Sequence, residues 1–196
     1  MKQEELDIIL ENHGKWLLNE GGERADLSNA DLKNTNLRFA NLRLADLRGA
    51  YLSYANFRGV DLRFADLSYA NLRFADLSYA NLRFADLSNV NLSNANLSNV
   101  NLSNANFRGV DLSDANLNWV NWQHVEGLTV ICVQVDTTRK NNQIVYIKEL
   151  DIWITGCFQG TLDELKASVE QTHKHNEKLK KRYYRVIDFI LNEVAE

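Results

Sequence analysis

Side chains capable of catalysis or metal binding are few in this chain and poorly spaced for either. His173 and His175 stand two apart, with Cys157 upstream, and could offer two or three metal ligands. A metal site needs three or four convergent ligands, so a solvated helix surface is the expectation for both histidines. Serines abound (Ser68, Ser78, Ser88, Ser93), yet the one histidine in their stretch is His124, at its far edge. No Ser–His–acid relay can be assembled from that spacing. Cys132 sits in an apolar run and reads as a small packed hydrophobe, with a Cys132–Cys157 bridge left open. Trp153, Cys157 and the GCFQGT segment are where a reactive tail would lie, but they show no recognisable reaction geometry. Lys174, Lys178, Lys180, Lys181, Arg182 and Arg185 surround one acid, Glu177, and could touch an anionic polymer or membrane. Asp188, Glu193 and Glu196 dilute that run, so it reads as a solvated helix face. The chain is therefore expected to be no enzyme, with no cofactor, no metal and no small-molecule substrate.

The elements that hold these residues are set by a repeat. From Ala25 to His124 the sequence keeps an unbroken period of five over 100 residues. Of twenty central positions, Leu27 to Trp122, seventeen are Leu; the others are Phe57, Phe107 and Trp122. Two places earlier stands Ala fourteen times, Val five times and Thr once, and one place earlier Asp or Asn in all but Tyr51. Five matches neither the helical period nor plain strand alternation. It fits a short extended stretch followed by a turn, with the small residue and the Leu pointing the same way. If each unit turns the chain by a quarter, four units close a coil of about twenty residues, and coils stack at ~4.8 Å.

Tandem A(D/N)LXX resembles the pentapeptide-repeat family, over about half the chain. The resemblance implies a mainly β fold: a right-handed quadrilateral β-helix of about five coils, its interior filled by the small residue and the central Leu or Phe. Ala65, Ala70, Ala75, Ala80, Leu67, Leu72, Leu77 and Leu82 are then structural core, packed without a cavity. The absence of Pro fits, because a missing N–H would break the intercoil ladder.

The last position of each repeat changes in blocks. It reads Tyr69, Phe74, Tyr79, Phe84 over 65–84 and Asn89, Asn94, Asn99, Asn104 over 85–104. Asn tolerates φ > 0 and aromatic residues resist it, so the two coils are expected to differ in turn type. One coil of each kind side by side is the pattern of an engineered consensus sequence, with recent duplication in a natural gene as the alternative.

Three regions follow: an N-terminal helical cap over 1–24, the repeats over 25–124, and an α+β cap over 125–196. The first carries Leu6, Ile9, Leu10, His13, Trp16 and Leu17 on one helical face. The last reads as a hairpin (129–135 and 143–148, joined by the polar DTTRKNN), a strand over 150–155 and a break over 156–160. A capping box at Thr161–Glu164 and a final amphipathic helix complete it.

Charge limits the partners. The 196 residues carry 22 Lys and Arg against 26 Asp and Glu, a net −4. That excludes a strongly basic nucleic-acid binder. No run approaches the ~18 apolar residues of a membrane span, and Met1–Gly14 lacks an apolar signal core. A cytoplasmic protein that does not engage membranes is the expectation. Some members of the family mimic duplex DNA and bind DNA gyrase, which requires an acidic rod. Here nine acids meet nine bases between 25 and 124, so gyrase binding is disfavoured. What remains is a non-catalytic scaffold, monomeric or homodimeric, with an unidentified protein partner or none. Stacking repeats four apart places Arg43, Arg63 and Arg83 in one column, and Tyr54, Phe64, Tyr69, Phe74, Tyr79 and Phe84 in an aromatic girdle. All of these but Tyr54 form the candidate interaction surface. The alternative is that the rings only cover turns.

Overall fold

The computed structural model describes residues 1–135 and 143–195, in two compact units, Met1–Gly127 and Leu128–Glu196. In the first unit, parallel bridges join residues twenty apart, from Asp26↔Asp46 through Asn106↔Glu126. Each repeat thus lies over the one four repeats on, and the stack is a β-helical solenoid.

The five-residue unit follows from its backbone N–H groups, which must all find acceptors if the walls are to be buried. In the repeat around Leu67, the Leu67 N–H donates to the Asp86 carbonyl and the Tyr69 N–H to Ser88, both on the next coil. The Asp66 N–H donates back to Ala45 on the preceding coil, at 3.1 Å. The Ala70 N–H closes the turn on the Leu67 carbonyl, at 2.9 Å. Only Ser68 remains, and its N–H is accepted by the Asp66 carboxylate, at 2.9 Å. This last bond recurs in all nineteen repeats that carry Asp or Asn before the centre, at 2.9–3.3 Å. The aspartate or asparagine is therefore a turn acceptor. No position of the repeat can be Pro, because no N–H is idle.

Inside, Leu67, Leu72, Leu77 and Leu82 are fully buried, as are Ala65, Ala70, Ala75 and Ala80. Alternating small and large side chains fill the space between four walls.

The expected contrast in turn type is not observed. φ is +59° at both Phe74 and Phe84, as against +59° at Asn94 and +60° at Asn104, and every corner from Asn29 to His124 is left-handed. With positive φ confined to the third of four turn residues, these are type II turns throughout. The reason is non-local. A type I turn would flip the peptide before the corner residue and turn its N–H away from the next coil. That N–H is a rung of the ladder: Phe74 donates to Ser93 and Phe84 to Ser103, both at 3.2 Å. A left-handed aromatic residue costs about 1–2 kcal/mol, and an orphaned N–H about 1–3 kcal/mol, so the two terms are comparable locally. The stacked coils above and below, which share one wall geometry, tip the balance. Glycine appears at corners where the preceding coil's side chain leans over: a Cβ on Gly59 would stand 2.6 Å from the Phe39 ring.

Helix α1 (Gln3–Leu17) occupies the open edge of the first coil, whose donors have no preceding coil to meet. Gln3 stands in for the missing strand, its Oε1 accepting from the Asn36 N–H at 3.0 Å and its Nε2 donating to the Asn36 carbonyl at 3.1 Å. The Met1 ammonium donates to the Asp31 carbonyl at 2.7 Å. His13 is fully buried and stacked on Trp16, and its Nδ1 accepts from the Ala25 N–H at 3.0 Å. That bond requires the neutral ring.

In the second unit, β1 (Val130–Gln134), β2 (Gln143–Ile147), β3 (Ile152–Thr155) and β4 (Phe158–Gly160) form one antiparallel sheet in chain order. The polar stretch expected to join β1 and β2 lies outside the described residues. Lys148–Leu150 forms a 3-10 turn ahead of β3, which therefore starts later than the sequence pattern predicts. The expected break at 156–160 is instead a hairpin: Gly156 at φ +57° and Cys157 turn the chain between the paired Thr155 and Phe158. Helix α2 (Leu162–Thr172) opens on the Thr161–Glu164 capping box. With α3 (Glu177–Ala195) it covers a core of Ile144, Tyr146, Trp153, Leu165, Val169 and Ile187. Cys132 does not pack inward as expected. It alternates with Ile131 and Val133, which pack against that core, and is exposed.

Two outcomes follow. Tyr69 is 70% exposed at φ +61° and, among the described residues, stacks on no ring. Tyr69→Asn relieves the left-handed strain without loss, and chemical denaturation should show a gain of about 1 kcal/mol. A loss of similar size would mean that the corner is unstrained. Burial, the largest influence, holds the His13 imidazole below its ordinary range, with the Arg24 charge acting the same way and the Arg43 backbone opposing. A depressed imidazole contributes stability that is complete above about pH 6.5 and lost as pH falls through the folded-state value. Melting curves between pH 7.5 and 5.5 should fall further for the wild type than for His13→Gln. Parallel curves would contradict the neutral buried ring.

Candidate interaction surface

The carboxylates that could act as acids or bases are already engaged in the turns. Asp46 is held below the usual carboxylate range by hydrogen bonds from Arg48, against its burial, and the Arg48 Nη2 lies 2.5 Å from its Oδ2. In Asp61, partial burial pushes the carboxyl up, and Arg63 outweighs it through two nitrogens at 2.6–3.1 Å. The Ser28 and Ser113 hydroxyls lower Asp26 and Asp111 in the same way. His173 stacks on Tyr183, with ring centroids 5.1 Å apart. Among the described residues no group of three His, Cys, Asp or Glu side chains is placed to hold a metal ion, and no helix is long and apolar enough to cross a membrane.

What faces outward is a set of columns at the coil spacing. At the corner after the repeats centred on Leu42, Leu62 and Leu82 stand Leu44, Phe64 and Phe84, each 40–49% exposed. Phe64 and Phe84 stack 4.8 Å apart at 5°. Tyr54 and Phe74 do the same on another corner, at 4.8 Å and 9°. Tyr69 stands in a third, between Gly49 and Asn89, and Tyr79 in the fourth, between Gly59 and Asn99. The rings thus form stacked pairs on two corners, while on the other two Tyr69 and Tyr79 stand between non-aromatic residues.

The arginines Arg43, Arg63 and Arg83 share a column but not a fate. Arg63 is tied to Asp61. Arg83 lies over the Phe84 ring at 5.3 Å. Arg43 is half-buried, and its enclosed Nε has no hydrogen-bond partner among the described residues. Such distinct settings relieve like charges ~4.8 Å apart. The structure adds Arg58, over Tyr79 at 5.0 Å, and Arg73, over Phe74 at 5.1 Å and donating to the Ser93 hydroxyl at 3.1 Å. Counting by twenties brings Arg58 under the Ser78–Tyr79 corner and Arg73 under Ser93, while Phe74 is Arg73's own neighbour.

The same counting separates the charges, which cancel only in the total. One side carries Asp26, Asp46, Asp66 and Asp86 with Arg48 and Arg108. The side before it carries Arg43, Arg63 and Arg83 with Asp61. The Leu44–Phe64–Phe84 ridge runs along the corner between them.

The Pentapeptide repeats family profile matches in eight copies, over residues 25–63, 55–94 and 85–121. No curated protein matches the chain. Among solved structures, a pentapeptide repeat protein of the Arabidopsis thaliana thylakoid lumen is 33% identical over 50% of this chain and 69% of its own, with a TM-score of 0.50. A pentapeptide repeat protein from Nostoc PCC 7120 is 30% identical over 53% of this chain and 94% of its own, with a TM-score of 0.27. QnrB1, a plasmid-mediated fluoroquinolone resistance protein, is 25% identical over 55% of this chain, which spans 54% of it, with a TM-score of 0.41. The unbroken five-residue period, the twenty-residue ladder, the family profile and the Arabidopsis match together place the chain in the pentapeptide-repeat family.

Proposed function

We propose that the protein is a non-catalytic scaffold: a right-handed, four-sided solenoid of about five coils that displays ordered columns of arginine and aromatic side chains to a protein partner. One observation carries this reading. Every Asp or Asn ahead of a repeat centre is committed to a backbone N–H two residues on, so the groups that could act on a substrate serve the turns instead. The interior is filled by leucine, and in the candidate surface Phe64, Tyr69, Phe74, Tyr79, Phe84 and Arg83 are exposed, with Arg43 and Arg63 half-buried beside them.

Mimicry of duplex DNA is the competing reading, and it fits the charges poorly. A DNA mimic must present acid along its exposed length. Here Arg38, Arg58, Arg43, Arg63 and Arg83 hold two adjacent sides against Asp61 and Asp76. Titration into a gyrase supercoiling assay at two salt concentrations separates the two. The scaffold reading expects supercoiling to continue at large molar excess. Salt-sensitive inhibition near stoichiometric amounts would overturn it in favour of the mimic.

A further inference from the structure

Among the four corners of the solenoid, only one is flanked by opposite charges on three successive coils. Starting at Arg43, Arg63 and Arg83, the chain reads Arg, Leu or Phe, Ala, Asp. The arginine ends one side, the apolar residue forms the corner, and the aspartate begins the next side. Parallel bridges put the three copies in register. The result is an exposed apolar ridge with an arginine column on one flank and, on the other, the carboxylates of Asp66 and Asp86; Asp46, in the same column, is buried and bonded to Arg48.

We propose that this ridge is the contact surface of a homodimer in which two copies lie side by side and parallel, related by a twofold axis along the solenoid. Such an axis keeps each coil level with the same coil of the other copy and exchanges the two flanks. Phe64 and Phe84 then meet their own counterparts, while each arginine column faces the other copy's carboxylates. The surface is self-complementary, so the contact is isologous and stops at two.

Spacing favours a second copy over another anionic partner. The charges recur at the coil spacing of ~4.8 Å, whereas same-face residues of an extended peptide recur at ~6.6 Å. Phosphates of a duplex strand rise ~3.4 Å each along the helix axis while winding around it, so neither stays in step with a straight column over three coils. Arg83 and Asp86 are also uncommitted: among the described residues neither forms an ion pair, and the Asp86 bonds are to the Ser88 N–H and the Asn106 amide. Asp66 is half-exposed and only loosely paired, its Oδ2 3.9 Å from the Arg48 Nε. Three coils bury far less than the ~800 Å² per partner of a standard interface, so the dimer is weak and favoured by low ionic strength.

The inference goes beyond the scaffold reading and is tested separately, by sedimentation of the full chain over a concentration series. The wild type should dimerise at low salt by about 200 μM and dissociate at about 0.5 M salt. Arg63→Glu with Arg83→Glu should weaken the dimer by about tenfold or more. Asp66→Asn with Asp86→Asn, which keeps the turn acceptors, should weaken it less. Mixing the double Glu variant with Asp66→Lys/Asp86→Lys should restore association as a heterodimer. Circular dichroism reports whether each variant folds, and the Asn pair preserves the test if the Lys pair does not. A wild type that stays monomeric at low salt would overturn the proposal. So would a dimer indifferent to the Glu and Asn pairs, or folded complementary variants that fail to associate.

Discussion

The structure depends on one constraint: each of the five N–H groups in a repeat has a single acceptor, and three of those acceptors lie on neighbouring coils. Two ladder bonds point forward, one points back, one closes the turn, and the fifth is taken by the Asp or Asn side chain. From that assignment follow the absence of Pro, the near-invariance of Asp or Asn, the left-handed corner and the outward direction of every corner side chain. The leucine stack supplies the apolar burial that makes the assembly worthwhile, but it does not determine the shape of the turns. The first coil shows the same constraint from the other side. Lacking a predecessor, it borrows Gln3, His13 and the Met1 ammonium as acceptors and donors.

The period, the core and the coil length were legible in the sequence because they depend on composition at fixed spacing. Ala at one position and Leu two later can point only inward together. The corner geometry was not legible, because residue preference is a local term and the ladder is not. Phe74 and Phe84 read as right-handed residues on their own and become left-handed because Ser93 and Ser103 wait for their N–H groups on the next coil. In the second unit, Gly156 was read as an interruption; its positive φ instead makes a tight hairpin to β4. A lone glycine between short apolar runs supports both readings. The candidate surface lay between these cases. The Arg43–Arg63–Arg83 column shows on counting by twenties, whereas the ring under Arg58 belongs to a repeat of the next coil and the ring under Arg73 is its own neighbour, Phe74.

For function, the important consequence is that an internally neutral sequence is not a neutral surface. A period of five wrapped at twenty sorts side chains into columns, so a substitution at one repeat position changes one stripe of one side. Arginine over aromatic faces, aspartate tied to arginine and stacked phenylalanine can then be placed independently of a core that never changes. Such a scaffold permits surface variation without disturbing the fold, which accords with a family whose members share the repeat.

Amide hydrogen exchange at the corners tests the central claim most directly. If the ladder dictates the turn, the N–H groups of Phe74 and Phe84 are rungs, and they should be protected to the same order as those of Asn94 and Asn104. Aromatic corners that exchange as freely as exposed loop amides, beside protected asparagine corners, would show that the peptide has flipped out of the ladder. Local residue preference, and not the stack, would then set the turn.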